Sequence, residues 1–375
     1  MKIIDSYNLS NILSSLEKKE KIETLKKYDV ITTATFAVIS AVSFIFELKF
    51  ATPGRYKYVQ EAYIENDKVL VGPAPNEGLG ILDGIINRPS FLDKLLKKDK
   101  VSVLIKVIDY DNKIDFIKFK VSKNDFLYSK LLFTRVCVKN YMAFVSEKKE
   151  KTIFSYDYLD KGEITFSGCG VLNPLEIFNI KEGEKIFIAG TWGLVLGPGT
   201  RSSKEKPNLS VLVDFKNVDR KFFGSFKQKS SLEFYVGMGY KRNLKDFDKK
   251  EIDSILTKSM KNIKLPIAKV QGRQVIDFSN YKEAWDGDLM LKFNKNHCHN
   301  CSTCLIEENC PAQAFSKEEG FLNNCLYCGI CLKFCPFGAT SGYLGKIKNY
   351  KIKMRHSSLY RALEICKFLK DFAYS

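Results

Sequence analysis

Cys298-His299-Asn300-Cys301-Ser302-Thr303-Cys304, closed by Cys310-Pro311, and Cys325-Leu326-Tyr327-Cys328-Gly329-Ile330-Cys331, closed by Cys335-Pro336, are the two runs on which the chain's organisation turns. An iron–sulfur cube needs four thiolates converging on one cage, and C-x2-C-x2-C lets a single tight loop supply three. The fourth comes from a distant cysteine followed by proline, and in two-cluster ferredoxins it belongs to the other run. The pattern therefore assigns Cys298, Cys301, Cys304 and Cys335 to one [4Fe–4S] cluster, and Cys325, Cys328, Cys331 and Cys310 to a second. Gly329, Ser302 and Thr303 are small enough for the backbone to approach the sulfides and donate N–H bonds.

The first run has five residues before its Cys-Pro where the second has three, a local insertion at 305–309. A zinc site would instead show two C-x2-C pairs separated by a longer loop. A radical-generating cluster would show C-x3-C-x2-C with an open iron. Fully ligated cubes move electrons and do not bind substrate. His297 and His299 flank the first ligand as neighbours that tune solvent and hydrogen bonding.

Outward from these runs, cysteine density divides the 375 residues better than hydrophobicity does. Residues 1–297 hold Cys137 and Cys169 alone, and Cys366 follows the runs. The expected organisation is an α+β large domain over 1–290, a small two-cluster ferredoxin-like module over 291–341, and a basic C-terminal helical tail over 342–375. The module boundary falls at the 286–288 turn. Eleven cysteines in a reducing compartment point to metal or redox chemistry over structural disulfides. The apolar run 37–46 is half the length a bilayer demands, about 20 residues. The charged N-terminus lacks an apolar signal core, so a cytoplasmic protein is expected.

The formal charge of +17 is lysine-borne. It is compatible with an anionic substrate or an acidic protein, and equally with well-solvated faces. No compact Arg-aromatic motif marks a nucleic-acid footprint, so nucleic acid is not an expected partner. Within the large domain, 10–27 reads as an amphipathic helix and 29–36 as a β-branched strand. Further strands are expected at 68–71, 101–110, 164–166, 185–189 and 210–215, with helices at 76–86, 89–97 and 249–260. Strands and helices mix without a βαβ rhythm. The tail has eight Lys/Arg (346, 348, 351, 353, 355, 361, 367, 370) against Glu364 and Asp371, a net of +6. Its helix at 357–372 either packs back on a domain or offers a basic face to an acidic electron donor.

Cys169 sits in Ser167-Gly168-Cys169-Gly170, where flanking glycines permit positive φ and free backbone N–H groups to face a thiolate. That setting suits a nucleophile or persulfide carrier, and the plain alternative is a small cysteine buried in a turn. Cys137 and Cys366 read as core residues. Gly197-Pro198-Gly199-Thr200-Arg201-Ser202-Ser203 either cradles a carboxylate or phosphate, with Arg201 as a fork of donors beside Thr200 and Ser202, or is an ordinary hairpin turn. Neither G-x4-G-K-[ST] nor G-x-G-x-x-G is present. Thr32, Thr33, Thr35, Asn76 and Glu77 are candidates to line the same pocket.

The combination Asp29-Val30-Ile31-Thr32-Thr33-Ala34-Thr35-Phe36, Gly72-Pro73-Ala74-Pro75-Asn76-Glu77, Ser167-Gly168-Cys169-Gly170-Val171-Leu172-Asn173-Pro174-Leu175 and the Gly197–203 turn resembles the archaeal homocysteine-biosynthesis family, over most of residues 1–290. With the cysteine runs behind it, the chain is similar to the branch called methanogenesis marker 16 metalloprotein. The resemblance implies aspartate-semialdehyde sulfurtransferase-like chemistry: a sulfane sulfur is delivered to the aldehyde and reduced, giving a homocysteine-like thiol. The fused clusters would take the place of a partner ferredoxin, themselves fed by an electron-donor protein. The family pattern carries a cysteine shortly after the T-T-x-T-F segment. Here 37–41 reads Ala-Val-Ile-Ser-Ala, and Cys169 is the thiol left to serve. The rival implication is a non-enzymatic electron-transfer or assembly factor in methanogenesis cofactor maturation.

Overall fold

Strands Val30–Ile39 and Val42–Lys49 are joined by Ser40 and Ala41 alone, with Ala41 at φ +65°. The two strands do not pair with each other. Val30–Ile39 pairs along its length with Leu232–Asn243, and Val42–Lys49 pairs with Phe126–Cys137. Between these partners lie, in order, Lys185–Ile188, Thr191–Pro198 and Asn208–Asp214. Laid flat, six strand spacings of about 4.8 Å would separate the two ends by nearly 29 Å, whereas the chain from Ile39 to Val42 reaches about 11 Å at most. The sheet must therefore curl back on itself. Beyond Val42–Lys49 the sheet continues through Ile81–Asn87, Asp67–Val71, Tyr58–Ile64, Val101–Ile108 and Ile114–Val121.

The structure is a computed structural model that describes residues 1–72, 75–138, 140–152, 155–169, 179–204, 207–229, 231–285 and 291–371. Pro73 and Ala74, residues 170–175 of the third motif, the 286–288 turn and residue 372 of the tail lie outside them. The fold is α+β and mostly sheet, with short helices at its edges. Among the described residues no helix is long and apolar enough to cross a membrane.

The concave face of the curled sheet is filled by one apolar cluster around Phe44, which meets Phe91, Phe126 and Phe215 edge-on at 5.8, 5.3 and 5.2 Å between ring centres. Edge-to-face contact sets the positive rim of one ring against the negative face of the next. The opposite face of Val30–Ile39 and Leu232–Asn243 carries the terminal helix Leu359–Asp371. Gly237 and Gly239 make room for it: a Cβ there would stand 2.8 Å from Ile365 Cδ1 and 2.7 Å from Leu369 Cδ1.

A second sheet runs in the order Val275–Asn280, Lys264–Lys269, Asn140–Val145, Glu163–Cys169, Tyr350–Arg355, Lys346–Ile347. Tyr350–Arg355, which follows the cysteine runs, lies parallel beside Glu163–Cys169, which precedes them by more than a hundred residues. Residues 346–371 are thus woven into the body of the protein. Residues 356–358 stitch the sheets together: His356 N donates to Phe166 O (2.9 Å), Val38 N to His356 O (2.7 Å), and Ser358 N to Phe36 O (2.9 Å).

Several expected elements change. The helix at 10–27 is two, Ser6–Leu13 and Lys18–Leu25, because Asp5 caps the first and a Glu17/Glu20 capping box starts a second. The helix expected at 76–86 is a single tight turn, Pro75–Leu79, followed by the strand Ile81–Asn87. Ile81, Ile85 and Ile86 are β-branched, and buried Glu77 is used to accept from Val59 N at 2.8 Å. The basic docking face expected of the tail is largely consumed internally. Arg355 and Arg361 are buried, while Lys348, Lys353 and Lys370 pair with Asp277, Glu163 and Asp5.

Phe44→Ala removes the hub of the aromatic cluster and is expected to lower unfolding free energy by about 3–5 kcal/mol. A shift of the urea midpoint with unchanged slope checks it.

Candidate functional site

Each cysteine run folds into the same local shape. Asn300 and Tyr327, the second residues after Cys298 and Cys325, both take positive φ, +46° and +57°. The same backbone turn thus recurs between the first two cysteines of each run. The five-residue insertion before Cys310 is one turn of helix, Leu305–Asn309. Short antiparallel pairs, Lys292–Phe293 with Thr340–Ser341 and Phe315–Ser316 with Gly320–Phe321, hold the two runs against each other.

Cys298, Cys301 and Cys304 line a cavity of about 80 Å³ together with Cys335 from the second run. Phe293, Phe315, Phe334 and Phe337 complete its wall, and His299 stacks on Phe337 at 4.1 Å between ring centres. Cys301 is exposed and the other three are half-buried.

The second set lies deeper. Burial pushes the thiols of Cys325, Cys328 and Cys331 well above their ordinary range, and each also feels the neighbouring thiolates. Cys310, from the first run, is among those neighbours for all three. Backbone N–H groups face the sulfurs: Ala314 donates to Cys310 Sγ at 3.2 Å, Tyr327 to Cys325 Sγ at 3.3 Å, and Ala339 to Cys335 Sγ at 3.3 Å. Gly329 sits at φ +85°, and a Cβ there would come within 2.3 Å of Leu344 Cδ1. Only glycine fits that corner of the loop.

Among the described residues no three His, Cys, Asp or Glu side chains converge tightly enough to hold one metal ion. A four-iron cube takes one thiolate per iron, so its ligands stand further apart than those of a single ion. Soft sulfur donors in sets of four, several of them met by N–H groups, are a donor set that could hold such a cube.

Cys169 ends the strand Glu163–Cys169, its backbone opposite Asn140. Cys137 ends the strand Phe126–Cys137 just ahead of Asn140. It is half-buried and its thiol donates to Asn208 Oδ1 at 2.8 Å, so it is not the mid-strand core residue its apolar neighbours implied. Asn208 in turn holds the Gly197–203 turn, donating from Nδ2 to Thr200 O (3.0 Å) and Arg201 O (3.3 Å) and from its backbone N to Ser202 Oγ (3.1 Å). Thr200 Oγ1 donates to Thr134 O at 3.1 Å. The hydroxyls of Thr200 and Ser202 thus serve the turn itself, and Arg201 is exposed at φ +58°. Cys169 and this turn therefore flank the same short link, residues 137–140.

Thr33 and Asn76 are not gathered there. Thr134 N donates to Ala41 O at 3.1 Å, which places the turn at the Ala41 end of Val30–Ile39. Thr33 is eight residues back, about 26 Å along a strand. It is buried and accepts from Ser6 Oγ at 3.2 Å. Thr32 and Thr35 are buried on the same strand. Asn76 belongs to the Pro75–Leu79 turn, which leads into the strand Ile81–Asn87.

The deeper cysteines do approach Cys169. Arg355 N donates to Cys328 O at 3.1 Å, and Arg355 is in register with Phe166, three residues before Cys169. Summing one hydrogen bond, one strand spacing and three residues of strand puts Cys328 and Cys169 within about 22 Å, backbone to backbone. Sequence patterns counted Arg355 and Arg361 only as part of a basic tail and did not point to Arg220, because a single arginine carries no spacing signal.

With this geometry in place, comparison with known proteins gives the family. The chain belongs to the homocysteine biosynthesis enzyme, sulfur-incorporation family, whose profile matches residues 6–374 and so spans the cysteine runs as well as the sheets. It is 36% identical to an uncharacterized protein of Methanocaldococcus jannaschii over 99% of this chain and 96% of that one. It is 28% identical to an uncharacterized protein of Methanothermobacter thermautotrophicus over 93% and 85%. A shorter stretch, 33% of this chain and 26% of the other, is 28% identical to the L-aspartate semialdehyde sulfurtransferase of M. jannaschii. No solved structure matches.

Asn208→Ala removes the side-chain ties of the turn. It is expected to cost about 1–3 kcal/mol and to speed tryptic cleavage after Arg201 severalfold. Gel-resolved limited proteolysis reads it, and an unchanged cleavage rate at Arg201 would contradict it.

Proposed function

We propose that the chain is an iron–sulfur enzyme of reductive sulfur transfer, working in the reducing cytoplasm on a small anionic aldehyde such as aspartate semialdehyde. Within the family we read its cysteine runs as those of the methanogenesis marker 16 metalloprotein branch. Cys298, Cys301, Cys304 and Cys335 hold one [4Fe–4S] cluster of a ferredoxin-type module, and Cys310, Cys325, Cys328 and Cys331 hold the other. When bound, the clusters supply one-electron transfer from an external low-potential donor protein.

Cys169 carries the sulfur. A persulfide donor charges its thiol, leaving Cys169–S–SH and the donor's thiol. The terminal sulfur then bonds to the aldehyde carbon. The balance is R–CHO + Cys169–S–SH + 4e⁻ + 4H⁺ → R–CH2–SH + Cys169–SH + H2O: the S–S and C–O bonds break, and the C–S bond remains. Arg201 anchors the substrate's anionic end with its planar fork of donors. The observation that supports this reading is the position of Arg355, whose N–H meets the Cys328 carbonyl while its strand runs beside the one that ends in Cys169.

The absence of a thiol at 37–41 favours a second reading, an electron-transfer or assembly factor without its own substrate. Anaerobic assay of the full chain with aspartate semialdehyde, a persulfide donor and a low-potential reductant separates the two. Cys169→Ser is expected to lose at least about a hundredfold in thiol formation with iron content unchanged. Full turnover in that variant removes Cys169 from the mechanism, and no thiol from the unaltered chain favours the second reading.

The crossed ligand sets have their own test. Cys310→Ser combined with Cys325→Ser strikes one cage and is expected to leave about four of about eight irons. Loss of nearly all iron would mean the two cysteines serve different cages.

A further inference from the structure

The two cages differ in more than depth. The outer one, at Cys298, Cys301, Cys304 and Cys335, is open to solvent at Cys301. In the inner one Cys325 is buried and Cys310, Cys328 and Cys331 are half-buried, and burial resists added negative charge. A four-thiolate cube is an anion that gains another charge on reduction. With burial alone the inner cluster would be the harder to reduce, and electrons arriving from solvent would stay on the outer one. Potentials of such clusters follow net charge, hydrogen bonds to sulfur and solvent exposure.

Two arginines from the body of the protein reach the inner cage. Arg220 comes from the loop after Asn208–Asp214, and its Nη2 donates to Gln313 O at 3.2 Å, three residues past Cys310. Arg361 comes from the terminal helix and is 4% exposed. Its Nη1 donates to Asn323 O, two residues before Cys325, and its Nη2 to Lys221 O at 2.8 Å. The Nε atoms of both are buried with no hydrogen-bond partner. Arg220 is felt electrostatically at Cys310, and Arg361 at Cys325. Glu364 lies 3.1 Å from Arg361 and 2.6 Å from Lys221, so that trio keeps a net charge of +1. Phe36 closes the other side of Arg361, its ring 4.5 Å from the guanidinium carbon.

We infer that Arg220 and Arg361 are the charges that raise the inner cluster's potential above the outer one's, so that electrons entering at the Cys301 side move inward toward Cys169. The inference rests on the two-cluster reading above. Both arginines act through the cage without ligating it, and are positioning residues. Their guanidinium charge stays fixed when buried.

Full-length protein, reconstituted anaerobically, is titrated with reductant while the reduced clusters are followed by electron paramagnetic resonance. Cys301→Ser and Cys310→Ser assign each signal to its cage. Arg361→Gln and Arg220→Gln are expected to shift the electron's partition toward the outer cluster at least tenfold each, which is 59 mV for one electron. The outer potential should hold still. Arg361→Lys and Arg220→Lys, which keep the charge, should recover most of the shift. Arg220 is half-exposed, so its variants report even where Arg361→Gln fails to fold. Two intact clusters whose potentials ignore both substitutions, or move together, overturn the inference and leave the two-cluster reading standing. Unaltered protein holding about four irons or fewer overturns both.

Discussion

The segment Arg355 to Ser358 holds the molecule together, and three of its four residues use their backbone for different neighbours. Arg355 N reaches the Cys328 carbonyl, and His356 N and O reach Phe166 and Val38. Ser358 N reaches Phe36. One extended segment thereby satisfies backbone groups of the curled sheet, the second sheet and the cysteine region at once. Buried backbone groups left unpaired would cost free energy comparable to a lost hydrogen bond each. The Arg355 side chain reinforces the seam: its guanidinium donates to Leu344 O at 3.0 and 2.8 Å and to Ala284 O at 2.8 Å, over the Trp285 ring at 5.1 Å. A buried charge is tolerable only with such a full set of partners.

Spacing pointed to a grouping of the cysteines, because C-x2-C-x2-C is a local loop pattern and the Cys-Pro rule assigns Cys335 to the first run and Cys310 to the second. The cavity that collects Cys335 with the first run follows that crossing. The strands at 29–36, 101–110 and 185–189 were legible for the same kind of reason, since β-branched alternation is a local signal. Long-range organisation was not. Nothing near residue 30 announces that its partner is residue 243, or that residue 350 will lie beside residue 163. The helix expected at 76–86 failed because apolar spacing there fits helix and strand alike, and buried Glu77 decided between them.

The polar residues show the same division. Thr200 and Ser202 looked like ligands for an anion, yet hydroxyls in a turn are first claimed by the turn's own backbone. Thr33 sat in a distinctive motif but is committed to Ser6. Cys169 and Arg201 stand at opposite ends of the Cys137–140 link only because Asn208 anchors one strand to the other, a tie that no spacing rule announces.

The two-residue joint at Ser40 and Ala41 bears on how the chain is made. Val30–Ile39 leaves the ribosome some two hundred residues before Leu232–Asn243, its ladder partner. At about 5–20 residues per second, that interval lasts roughly 10–40 s. Throughout it a β-branched segment waits with its Leu232–Asn243 edge open, and the glycine strip of its partner stays bare until the final helix is synthesised. The nascent protein is thus most vulnerable to aggregation during its own translation, and slower elongation would lengthen that exposure.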